Sequence, residues 1–169
     1  MILDPTSAYK GHILLLENMD EESKARLRAD AEAVYGTPWA LALKDFFALS
    51  KGDLSFIGLT AETAEQGSIR QYIWMLDFKE VCEQVTVILK KLVVPQTAEQ
   101  EMASKSCLKM GFEESTLIFV RKYFALHNFT EAENITLSDF LIAKKDSFNG
   151  AIYQKAMNDI QRQKFKRKK

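Results

Sequence analysis

The chain has 169 residues, 47% hydrophobic and 27% charged, and its 23 basic and 23 acidic side chains give a formal net charge of zero. That size fits one domain burying roughly 70% of its unfolded surface, and seven glycines, three prolines and no internal repeat exclude fibrous and low-complexity classes. No apolar run nears the roughly 18 residues that span a bilayer, and the first ten residues lack the basic start of a signal peptide, so a cytoplasmic protein with no membrane partner is expected.

Residues 1–19 give no single reading. Asp4 to Ser7 reads as a turn, and His12 to Leu16 as either a short strand or a helical turn. Asp20 to Tyr35 predicts a helix, because three acids open it at the positive end of its dipole and Gly36 is a natural stop. Its apolar face (Ala25, Leu27, Ala31, Val34, Tyr35) is thin, so it should lie on the surface. Thr37 then acts as an N-cap with Pro38 at the first helical position, predicting a helix to about Ser50. Leu54 to Thr60 is a short loop that must dock Phe56, Ile57 and Leu59, and Thr60 is placed to cap a brief helix before Gly67.

The longest element spans about residues 68–94. Ser68 is the N-cap and Pro95 the stop, and about 25 residues at 1.5 Å per residue give roughly 37 Å of helix. From Trp74 onward the apolar residues Phe78, Val81, Cys82, Val85, Ile88, Leu89 and Leu92 fall in steps of three and four and form one stripe. Before that, Ile69, Tyr72, Ile73, Trp74, Met75 and Leu76 circle the helix. The first half should be surrounded by protein and the second half should have one face in water.

Thr97 to Gln100 has capping-box spacing and opens a polar segment reaching about Cys107. Phe112 to Leu126 reads as a second core helix, with strand as the alternative for Thr116 to Val120, which is apolar and partly β-branched. Asn128 to Asn134 should be a turn or one helical turn. Thr136 to Asp139 opens a final helix carrying Leu137, Phe140, Leu141, Phe148, Ile152, Met157 and Ile160, which Asn149-Gly150 should weaken or kink. The expected fold is all-α: a single domain of about six helices over residues 1–161 around the long central helix, followed by a flexible basic tail over 162–169.

That tail holds Arg162, Lys164, Lys166, Arg167, Lys168 and Lys169, which leaves 17 basic against 23 acidic residues, a formal −6, in residues 1–161. An acidic body with a basic end suggests three roles for the tail: contact with phosphates, contact with an acidic protein surface including a second copy, or a solvated end.

Catalytic signatures are missing. The sequence has no GxxxxGK[ST], GxGxxG, GxSxG, HExxH or CxxC. Its two histidines, His12 and His127, have no acidic or cysteine cluster beside them, and neither Ser115 nor Ser147 stands at a spacing that pairs it with His127. Glu113-Glu114 and Glu131/Glu133 sit at helix starts, where acids are ordinary. Cys82 falls on the core stripe, and with Cys107 makes no metal or redox spacing. The expectation is a non-enzyme with no cofactor and no metal. Trp39, Phe46, Phe47, Phe56 and Ile57 form an apolar set read either as core or as a patch for a partner helix.

The stretch Tyr35-Gly-Thr-Pro-Trp-Ala-Leu-Ala-Leu-Lys-Asp-Phe-Phe-Ala-Leu-Ser-Lys-Gly-Asp53 resembles small proteins encoded in phage and prophage tail modules, and Phe112 to Tyr123 and the basic end are compatible with this. The resemblance covers about a third of the chain. It implies a helical, catalytically inert tail assembly chaperone that binds the tape measure or other tail subunits before assembly, and it transfers no site residues. The functional expectation is therefore an assembly or adaptor protein acting through protein contacts. The alternative is a small nucleic-acid-associated regulator using the basic tail.

Overall fold

The computed structural model describes residues 10–60, 62–63, 67–94, 96–105 and 107–166. Among them the chain forms eight α-helices and no strand: α1 (Lys10–Glu17), α2 (Glu21–Tyr35), α3 (Leu43–Ser50), α4 (Ile69–Lys91), α5 (Ala98–Lys105), α6 (Phe112–Tyr123), α7 (Phe129–Glu133) and α8 (Leu137–Lys166). The all-α expectation holds. None of the described helices is long and apolar enough to cross a membrane.

The central helix forms for the reasons visible in its first turn. Ser68 Oγ accepts from the Gln71 amide, and the Gln71 side chain accepts from the Ser68 amide, so the two residues satisfy each other's orphan donors. Tyr72, Ile73, Trp74 and Met75 are buried around most of the first half, and Phe78, Val81, Cys82 and Val85 continue as one stripe. α4 ends at Lys91, short of Pro95, with Leu92 as its cap. Asp20 caps α2 by accepting from the Ser23 amide, and α2 buries only Ala31, as a surface helix should. It lies along α4, tied by Arg28 to Asp77 at 3.2 Å.

One open reading is settled and three expectations change in detail. Segment His12 to Leu16 is helical, within α1. The helix expected from Thr37 to Ser50 is interrupted: Pro38–Ala40 makes one 3-10 turn, Thr37 makes no side-chain cap, and Leu41 and Ala42 are extended before α3 begins. The cause is backbone pairing with residues 135–137, far along the chain. The Leu43 amide donates to the Ile135 carbonyl at 2.9 Å and the Leu137 amide to the Leu41 carbonyl at 2.8 Å. Those two bonds use groups that a continuous helix would need, and they let Leu41 and Leu43 both point into the core. Residues 116–120 are helical, but α6 stops at Tyr123, followed by Ala125 at φ 52°. Finally, α8 passes Gly150 without a break and extends into the basic segment as far as Lys166, where lysine and arginine suit the negative end of the dipole. The predicted turn at Asp4 to Ser7, the stop at Pro95 and the tail residues Arg167, Lys168 and Lys169 lie outside the described residues.

The core is one cluster. Trp74, Phe78, Phe140, Leu43, Leu49, Ile57, Leu137 and Val120 are almost fully buried, drawing on α3, α4, α6, α8 and the turn at Ser55–Ile57. Phe119 of α6 meets Phe140 of α8 edge-on at 6.2 Å, with the Lys144 ammonium 3.9 Å above the Phe119 ring.

Candidate functional site

A run of aromatic rings crosses the protein. Phe56 lies 5.6 Å from Trp74, Trp74 stacks parallel on Phe78 at 5.9 Å, Phe78 meets Phe46 at 5.8 Å, Phe46 meets Phe47 at 5.6 Å, and Phe47 meets Phe112 at 5.8 Å. Edge-to-face and offset contacts of this kind add to the area they bury. The run begins at a partly exposed Phe56 (37%) and ends at an exposed Phe112 (51%).

Phe112 stands at the mouth of an apolar groove of about 500 Å³ between α3, the second half of α4 and the start of α6. Its floor is Phe46, Phe47, Cys82 and Val85, its side is Leu89, and Val93 rises at the far rim, 68% exposed. The two hydroxyls that line the groove donate their protons within their own helices. Ser50 Oγ donates to the Phe46 carbonyl at 2.7 Å, and Thr86 Oγ1 to the Cys82 carbonyl at 2.9 Å, so each hydroxyl is bonded to its own helix. Burial pushes the Cys82 thiol up to about 11, which keeps it protonated and unreactive at neutral pH. Such a lining is almost wholly apolar, with one cationic group, Lys90, at its rim.

The structure divides the predicted aromatic set. Phe46 and Phe47 are buried at the groove floor, and Ile57 is buried in the core. Phe56 sits at the opposite end of the ring run, and half-buried Trp39 is held by Ser138, which donates to its carbonyl at 2.9 Å. Val85, Thr86, Leu89, Lys90, Val93 and Phe112 were not singled out as a site in the sequence. Phe112 carried the available signal, since it is an aromatic residue opening a helix directly after Gly111.

Elsewhere several polar and titratable groups are engaged locally. His12 Nε2 donates to the Gly67 carbonyl, and exposed His127 has its backbone amide bonded to Glu131, far in role from Ser115, whose hydroxyl donates to Phe112. Glu113 pairs with Lys51 beside the groove's α3 wall. Cys82 and Cys107 are both free thiols, and among the described residues no three His, Cys, Asp or Glu side chains gather as metal ligands would. Arg162 and Lys164 are exposed on the last turns of α8. Compared with known proteins, the chain matches no family model, no curated protein and no solved structure.

Proposed function

We propose that this protein is a non-enzymatic adaptor that receives the apolar face of a partner helix in the groove at Phe46, Phe47, Val85 and Phe112. The observation that carries the reading is that both groove hydroxyls are bonded to their own backbone, leaving a hydrocarbon-lined trough with exposed apolar rims. A polar small molecule would find almost no donors there, whereas pockets for such ligands set a few convergent polar groups among apolar walls. A helix presenting apolar residues at i, i+3 and i+4, with an acid flanking them toward Lys90, matches the lining.

The resemblance of residues 35–53 to phage tail-module proteins supports an assembly chaperone, with the tape measure or another tail subunit as partner. A photo-crosslinking amino acid placed at Val93 in the native host tests this. Capture of a helical structural subunit, lost when Thr86→Trp fills the groove, is the expected result; crosslinks that survive Thr86→Trp would refute the groove as the docking site. The second reading, a nucleic-acid-associated regulator, draws on Arg162 and Lys164 standing exposed at one end of α8.

A further inference from the structure

α8 has a second surface to account for. Leu137, Phe140, Leu141 and Ala143 are buried, but no described residue of α8 beyond Ala143 is buried, although the helix continues to Lys166. About 23 residues, roughly 34 Å of helix, therefore extend with little packing, and helices of that kind are marginal in water without a tertiary partner. Opposite the core-facing side, exposed Ile142 (64%) and, past exposed Asp146 and Asn149, Tyr153 (62%) and Ile160 (46%) share one side of the helix, with half-buried Met157 between the last two. Steps of eleven, four and three return to the same side of a helix.

We propose that this stripe is an interface between two copies of the chain, whose α8 helices pair antiparallel about a two-fold axis near residue 151. The ends of the stripe set the direction. Asp139 stands about one turn before Ile142 and Lys164 about one turn after Ile160, and both are exposed. Antiparallel pairing lays Ile142 of one copy beside Ile160 of the other and Asp139 beside Lys164, and the two-fold axis repeats each pair. Parallel pairing would instead set Asp139, Asp146 and Lys164 each against its own copy. In the antiparallel register Asp146, whose carboxylate accepts from the Tyr123 hydroxyl at 2.6 Å, meets Met157 rather than a like charge, and Asn149 meets Tyr153. The arrangement also brings the basic end of one chain against the acidic body of the other, and so uses the charge asymmetry of the sequence.

This interface is separate from the groove, and either can fail alone. Sedimentation equilibrium on the full chain should give about twice the 19.3 kDa chain mass in the micromolar range. Tyr153→Asp with Ile160→Asp should weaken association on the order of 100-fold, with the cooperative thermal unfolding of the core kept and helix content by circular dichroism falling only by the unpaired outer part of α8. Lys164→Glu should weaken it about five-fold at low salt and not at high salt, since the pairs are solvated. A monomer at all concentrations overturns the proposal, as does a dimer indifferent to the double substitution. Indifference to Lys164→Glu at low salt overturns the antiparallel direction. A monomer that binds phosphatidylserine vesicles through Tyr153 and Ile160 would make the stripe a membrane-surface helix and end the dimer reading.

Discussion

The indole Nε1 of Trp74 donates a 2.7 Å hydrogen bond to the carbonyl oxygen of Gly36. Trp74 is the largest fully buried side chain, and Gly36 (φ 75°, ψ 171°) is the residue at which α2 turns away toward Pro38. One bond thus fixes the end of the surface helix to the second turn of the core helix.

Trp74→Phe keeps most of the ring stacking on Phe78 but leaves the Gly36 carbonyl without its donor. The expected cost is about 2 kcal/mol, read as a lower urea midpoint with an unchanged slope. A loss near zero would mean that water replaces the indole at Gly36.

Thr86→Trp should fill the groove while changing stability by no more than about 0.5 kcal/mol, because the position is exposed. Fluorescence enhancement of bis-ANS by the wild-type protein should fall sharply in this variant. An unchanged signal would place the dye, and the protein's main apolar surface, elsewhere.

The two thiols should react at very different rates. Exposed Cys107 should be modified promptly by Ellman's reagent at neutral pH, while Cys82 reacts only as pH approaches about 11. Burial raises the folded-state value of this thiol from 9.0, so its contribution to stability is complete below pH 9 and is lost as pH rises through about 11. Cys82→Ala should therefore flatten the loss of stability across that alkaline window, as followed by thermal melts.

Two glycines should respond in opposite directions to alanine. Gly58 closes the Ser55–Ile57 turn in the left-handed region at φ 76°, so Gly58→Ala should destabilise by about 1 kcal/mol. Gly150 lies inside α8 with open space where a Cβ would go, so Gly150→Ala should stabilise by about 0.5–1 kcal/mol. Differential scanning calorimetry reads both.

Removing residues 162–169 separates the two functional readings. If the groove carries function, crosslinking from Val93 survives the truncation. If the basic end binds nucleic acid, affinity for duplex DNA falls steeply with salt in the full chain and disappears in the truncated one.

Helices whose signals are local were legible in the sequence. The Ser68 cap, the acids that open the helix at Asp20 and the stripe from Trp74 to Val85 all depend on residues within a few positions of one another. The break at Leu41 and Ala42 was hidden because its cause is pairing with residues 135–137, and local propensity favoured a continuous helix after Pro38. The site was half visible for the same reason. Phe46 and Phe47 stood out as aromatic, but the groove exists only because Phe112 and Val93, distant in sequence, come to rest on either side of them. Nothing in the spacing of a single segment reports that meeting.

The pairing of residues 41–43 with 135–137 also constrains synthesis. A ribosome releases the chain from its N-terminus, so the Leu43 amide and the Leu41 carbonyl wait through more than ninety further additions before their partners exist. Until then the buried faces of α3 and of the Trp74 region have no lid from Leu137 and Phe140. The nascent protein therefore carries an open hydrophobic seam for most of its translation and shuts it only when the last helix begins to emerge.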